Sequence, residues 1–286
     1  MTDAERPSSE GYTAKSVFRE LDDALERGEA VALVTILETK GSTPQKAGAK
    51  MVVSRDGRLR GTVGGGCVEA EILWRARQAI EKRKCEIVSY DYNADEDEAG
   101  LICGGSVKVF IEPVLPLPRV FIIGAGHIAM PLARVAKVAG FEVVIWDDRI
   151  KYANRERFPE AEIVRAGPLA ELAEEFSYGD NTYVVIVTRG HVLDEDALRT
   201  FIQFDTAYLG LIGSLSKIDT IFQRLIKEGI PREKLDEVHA PIGLDLGGNS
   251  PGEIAVSVVS EMLMTRYKRT GKSLRFTERQ QFDGRN

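Results

Sequence analysis

Two glycine-bearing segments hold the residues best suited to chemistry. In Gly124-Ala125-Gly126-His127-Ile128-Ala129 the glycines permit a tight turn and close approach of a ligand, and small Ala129 permits close helix–strand packing. A helix starting there would aim its N-terminus at a phosphate, which makes Gly124, Gly126 and His127 candidate binding residues. In Gly64-Gly65-Gly66-Cys67-Val68-Glu69 the glycines remove bulk ahead of a cysteine. A thiol near a helix N-terminus gains thiolate character. Cys103 lies beside glycines in Ile102-Cys103-Gly104-Gly105. Thiolates ligate soft metals and carry sulfur, so Cys67 is the metal-ligating candidate and Cys103 a second ligand-binding one; ordinary buried thiols explain both equally well. Cys85, in an alternating strand pattern, is expected to be buried and structural. His127, His191 and His239 share no ligand spacing with the cysteines, which argues against a structural zinc site.

Three further loops belong at the same edge of the predicted sheet as Gly124. Asp147 or Asp148, ending FEVVIWDD, could accept from ribose hydroxyls or simply cap the next segment. Arg189 in Thr188-Arg189-Gly190-His191 suits a phosphate or carboxylate, and His191 suits anion donation or proton transfer. Both could equally tie down their loop, with Asp194 capping the helix that follows. Ser214, Ser216 and Lys217 open another helix and offer hydroxyl and charge; Ser214 alternatively serves as its cap. Ser250-Pro251-Gly252-Glu253 matches a capping box, and the Gly243 to Gly248 stretch before it reads as a loop that could close on a ligand.

These residues need a frame. Before the proline-rich EPVLPLP, helical periodicity at Ala14 to Arg27 and Val68 to Arg83 alternates with VALVTILE, KMVVS, RLRGTV, CEIVSYDY and SVKVFIEPV, with Asp56-Gly57 as a hairpin turn. This predicts a small α+β domain over residues 1–116. The acidic stretch Asp95 to Glu98 reads as a solvated loop. Beyond the prolines, strongly apolar strands alternate with helices, which implies a mostly parallel sheet covered on both faces. The expected class is α/β: a Rossmann-like domain over 117–271, then a polar tail at 272–286.

The chain has 286 residues, enough for two buried cores. A net charge of −6 argues against a general nucleic-acid surface. Three cysteines without a CxxC pair form no disulfide framework, and MTDAERPSSEGY lacks the apolar core of a signal peptide. A cytoplasmic protein without integral membrane association is expected.

Taken together, GSTPQKAGAKMVVSRDGRLRGTVGGGCVEAE, LICGG, VFIIGAGHIAMPLARVA, TRGHVLDEDAL, YLGLIGSLSK and HAPIGLDLGGNSPGEIAVSVVSE resemble the XdhC/CoxI family of xanthine dehydrogenase accessory factors. The resemblance implies a chaperone that binds molybdenum cofactor, protects it during sulfuration by a cysteine desulfurase, and delivers it to a molybdenum-hydroxylase apoenzyme. It further implies that Gly124, Gly126 and the following helix hold the phosphate end of a molybdopterin, that Arg189 or Lys217 neutralises it, and that Cys67, or less well Cys103, approaches the molybdenum or its exchangeable sulfur. Asp147 and Asp148 would read a nucleotide portion. Gln45 departs from the family's SxPR-like element, and Lys46 supplies charge there without arginine's bidentate geometry.

The residues also fit NAD(P)-linked oxidoreduction, through the glycine loop, the Asp147–Asp148 pair and His191, or a nucleotide-sensing regulator. A homodimer completing the pocket is compatible with the sequence, though no heptad identifies an interface.

Overall fold

The computed structural model describes residues 14–91 and 105–275, apart from the side chain of Cys67. The chain divides into two compact units between Leu117 and Pro118.

In the first unit, α1 (Ala14–Glu26) precedes β1 (Val31–Gly41), β2 (Lys50–Ser54), β3 (Leu59–Gly61), α2 (Gly66–Lys82), β4 (Glu86–Asp91) and β5 (Gly105–Val114). The strands form one antiparallel sheet in the order β3-β2-β1-β5-β4, with Val34 opposite Met51 on one side and Ile111 on the other. Alternation along β1 sends Ala32, Val34 and Ile36 against Ile72, Ala76 and Ile80 of α2, while Val31 faces Val17 and Ala24 of α1. The β2–β3 turn fits its Asp56-Gly57 signal, since Gly57 has φ +90°. Pro113 lies in β5 opposite Ala32, beyond the last pairing of β5 with β4, so its missing N–H leaves no ladder bond unmade.

The second unit runs β6 (Arg119–Ile123), α3 (Ala129–Val138), β7 (Glu142–Asp147), β8 (Ile163–Ala166), α4 (Leu169–Glu175), β9 (Thr182–Ile186), α5 (His191–Phe201), β10 (Tyr208–Leu211), α6 (Leu215–Lys227), α7 (Arg232–Asp236) and α8 (Pro251–Tyr267). Its sheet is parallel, in the order β10-β9-β6-β7-β8. A sixth position is taken by His239, whose N–H donates to Leu209 and whose carbonyl accepts from Leu211. The sheet is buried on both faces. Val120, Ile122, Val143 and Ile145 pack with Leu132 of α3 and Val258 and Met262 of α8; Phe121, Ile123 and Val144 pack with Phe201 of α5 and Ile221 of α6. Each such side chain contributes roughly 1.5–3 kcal/mol by leaving water. The α/β class expected from the sequence is what the chain adopts.

The capping box at α8 is complete: the Ser250 hydroxyl accepts from the Glu253 N–H at 3.3 Å, and the Glu253 carboxylate accepts from the Ser250 N–H at 2.9 Å. Cys85 corrects an expectation. It is exposed, because β4 begins one residue later and Cys85 lies in the connection from α2. Among the described residues, no helix is long and apolar enough to cross a membrane.

Candidate functional site

In the second unit, the carboxyl ends of β6, β7, β9 and β10 carry the residues singled out above. Gly124, directly after β6, has φ +110°, and its N–H donates to the Trp146 carbonyl at 2.7 Å. A Cβ there would stand 2.6 Å from the Val187 oxygen, so the chain after β6 touches the chain after β9. These neighbouring strands, β6 and β9, flank the place where the strand order reverses, the position at which open α/β sheets bind ligands. At Gly126 a Cβ would meet nothing within 4 Å. His127 is exposed beside it, and α3 begins two residues later, so the positive end of that helix lies next to open space.

Asp147 does not offer free oxygens to a ribose. It is buried, at 4% exposure; its Oδ2 accepts from the Ala125 N–H at 2.9 Å, and its Oδ1 accepts from the Arg149 N–H at 3.1 Å and Nε at 2.8 Å. Burial pushes this carboxyl up, but the hydrogen bonds from Arg149 and Ala125 outweigh it and hold it below the usual range. Asp147 therefore ties β7 to the glycine loop. Asp148 receives Arg189 Nη2 at 2.8 Å, which bridges the loops after β7 and β9. Arg189 itself stays half exposed, and His191, first residue of α5, is exposed.

The loop after β10 is committed in part. Ser214 is the N-cap of α6, its hydroxyl accepting from the Lys217 N–H at 3.3 Å, and the Lys217 ammonium pairs with Asp194 while donating to the Ile212 carbonyl at 3.2 Å. Asp194 is not a cap: α5 starts at His191 with Gly190 as N-cap. Asp194 instead sits fully buried in the first turn, where it also accepts from the Thr188 hydroxyl at 2.7 Å. The pair fastens the start of α6 to the start of α5. Of the anion-binding candidates on this edge, Arg189 keeps an exposed guanidinium, and the Lys217 charge is largely met within the fold.

The loop from Gly243 is anchored from below. Its N–H donates to Glu261 Oε2 at 2.8 Å; the same oxygen receives the Tyr208 hydroxyl, and His239 Nδ1 lies 3.2 Å from Oε1. Burial pushes the Glu261 carboxyl up, yet the bonds from His239, Tyr208 and Gly243 bring it below the ordinary range. Burial, then the charge on Glu261, drive the Tyr208 phenol well above its ordinary value. Sequence reasoning passed over Glu261, because it stands among apolar residues of α8 with no motif around it. It also passed over Arg149, whose guanidinium stacks 3.8 Å from the Tyr152 ring centre.

In the first unit, Gly65 is the N-cap of α2 and Gly66, at φ +64°, its first residue, which puts the Cys67 backbone in the first turn. Glu69, in that turn, accepts from the Thr62 hydroxyl at 2.7 Å. Cys103 and the acidic stretch from Asp95 to Glu98 lie outside the described residues. Among the described residues, no three His, Cys, Asp or Glu side chains are placed to hold a metal ion.

Comparison with known proteins places both units. Residues 120–262 match the model of the XdhC Rossmann domain, and residues 24–91 that of the XdhC and CoxI family. The chain is 31% identical over 258 residues to uncharacterized protein YqeB of Escherichia coli, covering 90% of this chain and 47% of that protein, so it spans about half of that relative. It is 25% identical to a protein of Bacillus subtilis named as a probable xanthine dehydrogenase subunit, over 86% of this chain and 96% of the other. It is 23% identical to the molybdenum cofactor insertion chaperone PaoD of Escherichia coli, over 88% of each chain.

Proposed function

Because the chain belongs to the XdhC and CoxI family, we propose that it binds molybdenum cofactor and delivers the sulfurated form to a xanthine dehydrogenase-like molybdenum hydroxylase. The observation that carries this reading is the open glycine loop inside the family-matched span: a Cβ at Gly126 meets nothing within 4 Å, just ahead of α3. A backbone free of side chains at a helix N-terminus suits the phosphate end of a molybdopterin, and the half-exposed Arg189 supplies a cation on the same edge. The relative named as an insertion chaperone supports delivery as the task. In this reading a cysteine desulfurase and the apoenzyme are the partners, and Cys67 serves the metal end.

The direct test is anaerobic co-expression with cofactor biosynthesis, mass analysis of the molecule bound to the native protein, and transfer to molybdenum-hydroxylase apoenzymes. Capture and transfer of molybdenum cofactor are the expected results. Specific NAD(H) binding with substrate-dependent redox turnover and no transfer would sink the reading.

Two substitutions sharpen it. Gly126→Val is expected to weaken cofactor capture by at least about tenfold, the effect of losing roughly 1.4 kcal/mol of contact. Its melting temperature should stay within about 2 °C of the parent, because the new side chain enters open space. Cys67→Ser is expected to capture cofactor but transfer it mostly unsulfurated; unchanged sulfuration in the transferred cofactor rejects the thiol's role.

A further inference from the structure

Beyond Asp147 the chain from Asp148 to Glu162 gathers three cations around the Tyr152 ring. The Arg149 guanidinium lies 3.8 Å from the ring centre of Tyr152, that of Arg157 4.9 Å, and the Lys151 ammonium 5.5 Å. Three cations around one ring repel one another, and a tyrosine face returns only about 0.5–1 kcal/mol to each. Arg149 has its carboxylate in Asp147. Arg157 and Lys151 have no carboxylate partner among the described residues. Arg157 donates to the Tyr152 carbonyl at 3.3 Å and approaches Met130 Sδ at 3.4 Å, both neutral groups that leave its charge uncompensated. Of the neighbouring carboxylates, Glu160 pairs with Arg134 and Glu162 with Lys137, while the exposed Glu156 makes no ion pair with Arg157 among the described residues.

Position adds to charge. Met130 is in the first turn of α3, so Arg157 stands beside the helix that follows the glycine loop, where the helix field favours an anion. In dinucleotide-binding folds the end of the second strand selects what the far ribose carries: a free carboxylate accepts from a 2′-hydroxyl, and an arginine takes a 2′-phosphate. Here the Asp147 oxygens are already filled by Ala125 and Arg149, and Asp148 by Arg189. The acceptors a diol needs are occupied, and cations without a carboxylate partner remain.

We propose that the end of β7, through Arg157 and Lys151 with Arg149 behind them, is a phosphomonoester-binding site. It rests on the reading of this carboxyl edge as ligand-binding and states which chemical group its β7 side accepts. A nucleoside 2′-phosphate and the terminal phosphate of a pterin both carry that group.

Titration calorimetry of the full chain with adenosine 2′-monophosphate, adenosine and inorganic phosphate tests the site without any molybdenum or pterin, so its failure and a failure of cofactor capture are separate results. The 2′-monophosphate is expected to bind at least about tenfold tighter than adenosine, the scale of one added charge-assisted contact. Lys151→Gln, at an exposed position, should cut that preference about threefold, and Lys151→Gln with Arg157→Gln should abolish it. Inorganic phosphate that competes with the 2′-monophosphate, and loses this in the double variant, also supports the site and shows that the phosphate group rather than the nucleoside is recognised. Equal binding of the 2′-monophosphate and adenosine, a preference untouched by both variants, or no binding of any probe at millimolar concentration overturns the proposal.

Discussion

Gly124→Val is expected to lower the melting temperature by roughly 6–12 °C, whereas the same change at Gly126, two residues on, leaves it nearly unmoved. The two glycines answer different demands. Gly124 has φ +110°, where an L-residue pays about 1–2 kcal/mol, and its added carbon would press into the Val187 carbonyl at 2.6 Å and Thr188 Cα at 2.8 Å. That backbone cannot retreat cheaply, since the Val187 N–H bonds the Ile123 carbonyl at 2.8 Å within the β6–β9 pairing. Strain and clash together come to about 3 kcal/mol, and a unit of this size loses about 2–4 °C for each. Differential scanning calorimetry of both variants decides it. A Gly124→Val protein melting within about 2 °C of the parent would show that the loop yields where the packing says it is held.

Glu261→Ala is expected to cost about 3 kcal/mol at neutral pH, measured by denaturant unfolding, because it strands the Tyr208 hydroxyl and the Gly243 N–H and leaves a cavity. The pH dependence follows from the sign of the shift. The folded carboxyl titrates below its unfolded value, so its contribution is complete above the unfolded pKa of about 4.3 and is lost as pH falls through the folded value. The stability gap between parent and variant should therefore narrow below about pH 4. A gap that widens on acidification, or that is under about 1 kcal/mol at neutral pH, removes Glu261 as the anchor of this loop. Hydrogen exchange should rise at residues 243–249 in the variant before it rises in the strands.

The second unit's strands were legible because burial on both faces writes them as unbroken apolar runs, VFII, VVIW and YVVI. β8 was not, since a short edge strand with Arg165 on it reads as a polar segment, and α4 disappeared with it. Residues around His239 join the sheet through bonds to Leu209 and Leu211, with no strand pattern of their own. At the site, the glycine loop could be read because a backbone requirement is visible as residue type. Its side-chain partners could not. Asp194 and Lys217 meet across 23 positions, Arg189 and Asp148 across 41, and nothing local announces either pair. The sequence offered Asp147 as an acceptor, and only the fold reveals that Ala125 and Arg149 have taken its oxygens. With Cys85 the alternation was carried one residue past the true start of β4.

The way the sheets end bears on how this protein behaves at high concentration. Open strand edges recruit strands from neighbouring molecules and seed aggregates. β3 has only 3 residues and carries Arg60; β8 has 4 and carries Arg165, paired with Glu175; the outer side of β10 is covered by His239. Brevity, charge and a covering segment thus guard three of the four edges against intermolecular pairing; the fourth, β4, has 6 residues and carries Glu86 and Asp91 at its ends. The delivery role proposed above calls for repeated encounters with other proteins without strand pairing between copies of the chain, and these blunted edges suit it.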